Sequence, residues 1–472
     1  MSSATPTKFR VFDIPQSLRS HLDSWGRNLR NTVEMVRVRW MKMNPSVLAF
    51  RSLKDAVPSL GTDCSGAEAP VWALKQMMIP HKHVWSCDCD PTVREFIQSC
   101  SPPADKLYAD MLNRATDETP NVDIYVCGFP CTPYSMLRAH KTKKFKEAAA
   151  KPYFAMLKFL RIKRPPLAVL ENVGGLRRLL RKVLSDLARL KCYHVIWMMM
   201  DSADLGEPVS RPRCYFLLLR RDVSASSDIH VLAKFCELCL QATRVPVSVH
   251  VKARMLPSTH PAVLAYIHQA QQKRQQKKRQ SGSRVGDKWM SKHEAYKKNT
   301  QTVQGFRGTT ASASGGMPLN SERQRAAWSL LTKQHGQNII ADVSQSIDRC
   351  HVRTSGICPT LTPRGVCCVG PLQRYVLPFE KLLLHGFPLH KMQVPATISD
   401  EKLGLMGGNT MHLQCIGLAL LMGMSLLKTP VPQPPSDSVF PQRGSCVQAH
   451  SVAQTTGKEG EEAPAGKRQR VI

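Results

Sequence analysis

Gly128-Phe129-Pro130-Cys131-Thr132-Pro133-Tyr134-Ser135 follows directly on the strand-like apolar run Val122 to Cys127. A cysteine held behind a proline at the end of an apolar strand sits on a sharp, exposed turn. Working outward, a second apolar strand, Leu167 to Leu170, ends in Glu171-Asn172-Val173, and a third, Cys214 to Leu219, is entered through Arg211-Pro212-Arg213. Nucleophile, carboxylic acid and paired guanidinium therefore arrive in chain order at strand ends, where open α/β sheets place their chemistry. Further strands are expected at Ser59 to Cys64, His83 to Cys87 and His194 to Met199, with helical patterns between them such as Pro152 to Arg161 and Leu176 to Leu190. This alternation predicts an α/β fold built on a doubly wound, mostly parallel sheet.

The bulk composition agrees with a folded protein that has a polyanionic partner. The 472 residues are 42% hydrophobic, enough for a real core, and carry a net charge of +31. Nucleic acid is the first partner such an excess suggests. The 16 cysteines are scattered and no secretory signal opens the chain, so free thiols in a reducing compartment are expected. No run reaches the ~18 apolar residues of a membrane helix, so no membrane partner is expected. The longest apolar run, Cys415 to Leu427, reads as a buried helix in a soluble intracellular protein.

Five segments follow from composition. Residues 1–56 read as a helix-rich extension, and 57–221 as the catalytic body. Residues 222–348 are basic, with the densest run at Lys273 to Arg279 and a flexible Thr309 to Gly316. Order returns over 349–427, and the tail 428–472, rich in Pro, Ser and charge, is expected to be disordered. Cys236-Glu237-Leu238-Cys239 has zinc-like spacing but no matching second pair, so these cysteines and Cys367-Cys368 are read as core and no metal is expected.

Asp63-Cys64-Ser65-Gly66-Ala67-Glu68-Ala69-Pro70 lies between the first strand and a helical run, and a glycine turn there lets a ligand approach the backbone. The second strand ends Cys87-Asp88-Cys89-Asp90, where nucleotide-binding sheets bond ribose hydroxyls. Asp110, in Tyr108-Ala109-Asp110-Met111, is placed to accept from an adenine amino group. Three such features at successive strand ends fit an adenosyl ligand. Together with the ordered cysteine, acid and arginine pair, they resemble the DNA (cytosine-5) methyltransferase family over about residues 58–424.

The resemblance implies a class I, Rossmann-like methyltransferase fold with a smaller target-recognition domain. It also implies S-adenosylmethionine as cofactor, held at Cys64, Ser65, Gly66, Asp88, Cys89, Asp110, Met111 and Pro130. Gly407-Gly408-Asn409-Thr410 is similar to the family's last motif and adds Asn409 and Thr410. Here Cys64 takes an aromatic place and Glu68 a glycine place; Glu68 is read as facing the cofactor's ammonium or, preferably, solvent.

Cys131 would be the nucleophile, adding to C6 of cytosine so that C5 can take the methyl group. Glu171 would hold or protonate N3, which requires a partly protonated carboxyl. Arg211 and Arg213 alternate along the entering strand, so one faces the site. The resemblance assigns Arg213 to the cytosine O2 and Arg211 to support of the catalytic loop. Thr132, Tyr134 and Val209 stand where the family usually carries Gln, Phe and Gln. A duplex substrate requires base flipping, and the basic stretch Arg138 to Lys151 would be the closing loop.

Residues 222–348 would read the target, while Lys273 to Arg279 stands open between DNA contact, nuclear localisation and a solvated loop. Ile357 to Arg364 and Phe379 to Pro388 are similar to the penultimate segments. Duplex DNA is the expected substrate, with tRNA as the alternative. A catalytically inactive DNA-binding relative is the other class of reading, disfavoured because a binder needs none of Cys131, Glu171 and Arg213. The nucleus is the expected compartment, or the cytoplasm if the source is bacterial.

Overall fold

The computed structural model describes residues 9–45, 47, 57–100, 103–130, 150–280, 288–301, 317–319 and 321–428. Cys131, most of the expected closing loop, Thr309 to Gly316 and the tail after Lys428 lie outside the described residues.

Phe9–Arg10 (β1) leads into the helix Gln16–Met43 (α1), which buries Leu18, Leu22, Trp25, Leu29, Val33 and Trp40 along one stripe. That stripe packs on three helices defined below. Contact is closest at Gly26, where a Cβ would fall 2.3 Å from the backbone oxygen of Gln76. Gly26→Ala is therefore expected to push the helices apart, lowering stability by about 1–3 kcal/mol, the usual cost of overpacking; urea unfolding checks this.

The main sheet is built from Ser59–Asp63 (β2), Lys82–Cys87 (β3), Lys106–Tyr108 (β4), Ile124–Cys127 (β5), Leu167–Val173 (β6), Tyr193–Met200 (β7) and Arg213–Arg220 (β8). Their order is β4-β3-β2-β5-β6-β8-β7. The first five neighbours pair in parallel, and β8 runs antiparallel between β6 and β7. All six expected strands are present. The unexpected one, β4, has three residues and presents no apolar run. It is a strand because the sheet edge of β3 supplies its partners.

Helices Ala69–Gln76 (α2), Pro91–Cys100 (α3), Lys151–Lys163 (α4) and Leu180–Ala188 (α5) connect the strands, and the last is preceded by a 3₁₀ turn, Gly174–Leu179. Two apolar layers result. Val126, Val169 and Leu217 point to one, Tyr125, Ala168 and Phe216 to the other, as the period of two requires.

Beyond the sheet come Ile229–Thr243 (α6), Pro261–Gln280 (α7), Lys288–Gln301 (α8) and Glu322–His335 (α9). An antiparallel four-stranded sheet follows, made of Ile340–Asp342 (β9), Val352–Arg353 (β10), Cys367–Val369 (β11) and Arg374–Tyr375 (β12) in the order β10-β9-β11-β12. Cys236 and Cys239 on α6, and Cys367 and Cys368 on β11, are buried. Among the described residues no group of His, Cys, Asp or Glu is arranged to hold a metal.

Helix Pro378–Leu384 (α10) carries Glu380, which receives both Arg374 amino groups at 2.7 and 2.8 Å and the Leu256 amide at 3.0 Å. Val394–Pro395 (β13) pairs with β1. Asp400–Asn409 (α11) packs on α10, and the wholly buried Leu413–Ser425 (α12) packs against α1, α2 and the main sheet. Each large apolar side chain of α12 contributes about 1.5–3 kcal/mol by its burial. No helix among the described residues is long and apolar enough to cross a membrane.

Candidate active site at the carboxyl ends of the central strands

Between β2 and β5 the connections leave in opposite directions, which opens a crevice at the carboxyl ends of those strands. A cleft of about 370 Å³ lies there, lined by Thr62 to Gly66, Ala69, Pro70, Val126, Gly128, Glu171 and Asn409 to Met411. The cleft thus brings together Cys64, Ser65, Gly66, Asn409, Thr410 and Glu171, which the sequence placed at one site.

Glu171 lies within β6, opposite Tyr215 of β8, rather than after the strand. Its carboxylate pairs with the Arg213 Nε at 3.2 Å. Burial pushes its pKa up against the opposing pull of Arg213 and Arg211. Asn172, given no role by sequence reasoning, donates from Nδ2 to the Phe129 carbonyl at 2.9 Å. It thereby ties β6 to the backbone just before Pro130 and Cys131.

Arg211 points elsewhere. Its guanidinium donates to the carbonyls of Leu361 (3.3 Å), Gly408 (3.2 Å) and Thr410 (2.6 Å), while Asp201 accepts from its amide at 2.6 Å. It clamps the Asn409-Thr410 wall of the cleft onto the penultimate segment.

On the other wall Gly66 has φ +54° and nothing within 4 Å of its Cβ position, so the backbone lies open to the cleft. Its amide donates to the Asp88 carboxylate at 3.0 Å, joining the first two loops. Cys64 meets Met111, sulfur to sulfur, at 3.7 Å. Asp110 accepts from the Leu112 amide and the Asn113 side chain. Asp88, Cys89, Asp110, Met111 and Pro130 do not line the cleft itself.

The preferred reading of Glu68 is corrected: it is wholly buried. Its Oε1 accepts from Thr62 Oγ1 at 2.7 Å and Ser86 Oγ at 2.5 Å, and burial raises its pKa. The sequence counted one charge beside a glycine, whereas three hydroxyl-bearing and imidazole side chains from two strands enclose it.

Sequence reasoning also missed Asp63, the last residue of β2. Its carboxylate takes both Arg114 amino groups at 2.8 and 2.9 Å and the Tyr125 hydroxyl at 2.8 Å. The guanidinium lies 4.4 Å from the Trp85 ring, 5.2 Å from Tyr108 and 5.3 Å from Phe159. The available signal was a charged residue ending a strand whose every position is buried.

Two buried imidazoles, His385 and His412, flank Arg211. Burial, helped by Arg211 and opposed by Glu207, holds His412 down to about 4. The unfolded chain then binds the extra proton between about pH 6.5 and 4, so stability is lost as pH falls through that window. His412 accounts for up to about 3 kcal/mol of this loss. His412→Asn keeps a cap acceptor for the Gln414 amide, which now donates to His412 Nδ1 at 3.3 Å. Acid unfolding of this variant should be shallower in that window.

Against known proteins, the family model described as C-5 cytosine-specific DNA methylase matches residues 64–408. The chain is 28% identical over 155 residues to the type II methyltransferase M.NlaIV of Neisseria lactamica, an alignment covering 30% of this chain and 36% of that protein. It is 35% identical over 103 residues to M.BanI of Aneurinibacillus aneurinilyticus, covering 21% of this chain and 23% of the relative. The chain thus aligns with about a third or less of these relatives' length. The S. pombe Dnmt2 methyltransferase structure matches with a TM-score of 0.48 and 13% identity, covering 78% of this chain and 98% of the other. With the family model spanning most of the chain and the parallel sheet, cleft and acid–arginine pair in place, the chain belongs to the C-5 cytosine-specific DNA methylase family.

Proposed function

We propose that this chain transfers a methyl group from S-adenosylmethionine to C5 of cytosine in DNA. The observation that carries the reading is the shared cleft. Glu171, paired with Arg213, faces the same space as the open Ser65-Gly66 backbone and the Asn409-Thr410 wall. Cys64, Ser65, Gly66, Asn409 and Thr410 would hold the cofactor, with Asp88, Cys89, Asp110, Met111 and Pro130 around them. When bound, it supplies an electrophilic methyl group.

The protein's residues act on the base. Cys131 adds to C6 of a flipped-out cytosine, forming a sulfur–carbon bond while the ring's electron pair moves to C5. Glu171 shares its proton with N3 and Arg213 holds the O2 edge, so charge is neutralised as it develops. After methylation the C5 proton passes to water, the C5–H electron pair re-forms the C5–C6 double bond, and the C6–sulfur bond breaks to release the Cys131 thiolate. Arg211 keeps the Thr410 wall in place throughout.

Residues 57–221 and 349–427 would form the catalytic body and 222–348 the target reader, with 1–56 as an extension and 428–472 as a tail. Arg177, Arg178 and Arg181 are exposed just beyond β6 and suit DNA phosphates. Replacing all three with Gln should reduce the slope of log affinity against log salt by about 2–3, read by fluorescence anisotropy on duplex DNA. The nucleus is the proposed compartment, or the cytoplasm for a bacterial source.

The deciding experiment offers labelled S-adenosylmethionine with duplex DNA and, separately, with tRNA. Label on cytosine C5 of DNA is expected. Label in tRNA alone would move the substrate to RNA, and DNA binding without label would make the chain an inactive relative.

A further inference from the structure

Three of the five residues from Cys64 to Glu68 have left-handed backbones, and only one of them is glycine. Cys64, Gly66 and Glu68 have φ of +52°, +54° and +54°. A side chain at such a position is held there by its surroundings, and backbone outliers of this kind concentrate at functional sites. For Glu68 the surroundings are specific. Its carboxylate sits beneath the cleft floor, with no solvent exposure.

From the cleft inward, the Ser65 hydroxyl lies 2.7 Å from that of Thr62, and Thr62 donates to Glu68 Oε1 at 2.7 Å. From the far side, Ser86 donates to the same oxygen at 2.5 Å, and His83 Nε2 lies 2.7 Å from the Ser86 hydroxyl. Because Ser86 spends its hydrogen on Glu68, His83 Nε2 carries the hydrogen of the last contact. Thr62 and Ser65 line the cleft, whereas Ser86 and His83 do not. A continuous chain of hydrogen bonds therefore runs from the cleft wall to the interior of β3 through one carboxylate.

We propose that Glu68 is a positioning residue for the cofactor, bracing the Ser65-Gly66 turn in its binding conformation through Thr62 and Ser86. The inference rests on the reading of the cleft as the site of S-adenosylmethionine. It concerns acceptance of two hydrogen bonds by Oε1, which the amide oxygen of glutamine can reproduce and alanine or glycine cannot.

The test is isothermal titration of S-adenosylmethionine into the full chain and its Glu68→Gln, Glu68→Ala, Glu68→Gly and Ser86→Ala variants, with thermal unfolding recorded beside it. Expected is a Kd within about threefold of wild type for Gln and at least about tenfold weaker for Ala and Gly. Ser86→Ala, which removes one of the two donors, should lie between. The loss should fall on the KM for the cofactor rather than on kcat.

A role limited to backbone strain reverses the order, because glycine accepts the left-handed conformation best. Glycine binding as tightly as wild type would overturn the brace. Should the glycine variant not fold, Ser86→Ala decides, and unchanged affinity there overturns the proposal equally. Failure of the wild-type chain itself to take up S-adenosylmethionine would instead sink the reading of the cleft, and the brace with it.

Discussion

Methyl transfer is expected to fall by at least ~10⁴-fold when Cys131 is replaced by serine, while binding of duplex DNA persists. A thiol with an ordinary pKa near ~8.5 is ionised often enough to attack C6, and a cation or helix terminus increases that fraction. A serine hydroxyl without its own base is not.

Glu171→Gln tests the other half of the chemistry and should cost about 10²–10⁴-fold. The amide cannot give a proton to N3, and Arg213 loses its carboxylate partner. The pH profile separates the roles. Burial raises the Glu171 pKa, so the protonated form persists above the usual carboxyl range, and the wild-type rate falls as pH rises through the raised value. The Gln variant should lack that limb. Single-turnover methylation with each variant measures both effects, and retention of the limb in Glu171→Gln would remove Glu171 as the proton donor.

Arg114→Met is expected to destabilise the fold by about 3–5 kcal/mol, the cost of leaving a buried charge without its partner. Asp63 would keep the Tyr125 hydroxyl and the Cys87 thiol but no cation, in a place where burial already opposes its ionisation. The aromatic faces of Trp85, Tyr108 and Phe159 would lose their cation as well. The double variant Asp63→Asn with Arg114→Met removes both charges, and should recover a large part of the loss in urea unfolding. Because Asp63 immediately precedes Cys64, the single variant should also weaken S-adenosylmethionine binding. Equal instability of single and double variants would show that packing of the Arg114 stem, rather than the charge pair, holds this corner.

Much of the fold was legible because its signals are local. Apolar runs of strand length, each broken by glycine, proline or a charged residue, marked the strands at Ser59, His83, Val122, Leu167, His194 and Cys214 in advance. β4 escaped because three residues of mixed polarity carry no period. At the site, the Cys64-Ser65-Gly66 turn and Glu171 were readable as glycine-turn and strand-end residues and Asn409-Thr410 only through the family resemblance, and the fold places them around one cleft.

By itself the sequence determined the order of the chemistry-bearing turns and the strands that present them, since strand periodicity and turn residues act over a few positions. Partnership was decided only by the tertiary structure. Asp63 meets Arg114 across 51 residues, and Arg211 reaches Gly408 and Thr410 across 197 and 199. The same holds for Glu68, whose neighbours on β2 and β3 turn an expected surface acid into a buried one. A charge next to a glycine reads as solvated until the strands that desolvate it are in place, because burial and hydrogen-bond satisfaction belong to the packed chain and to no local stretch of it.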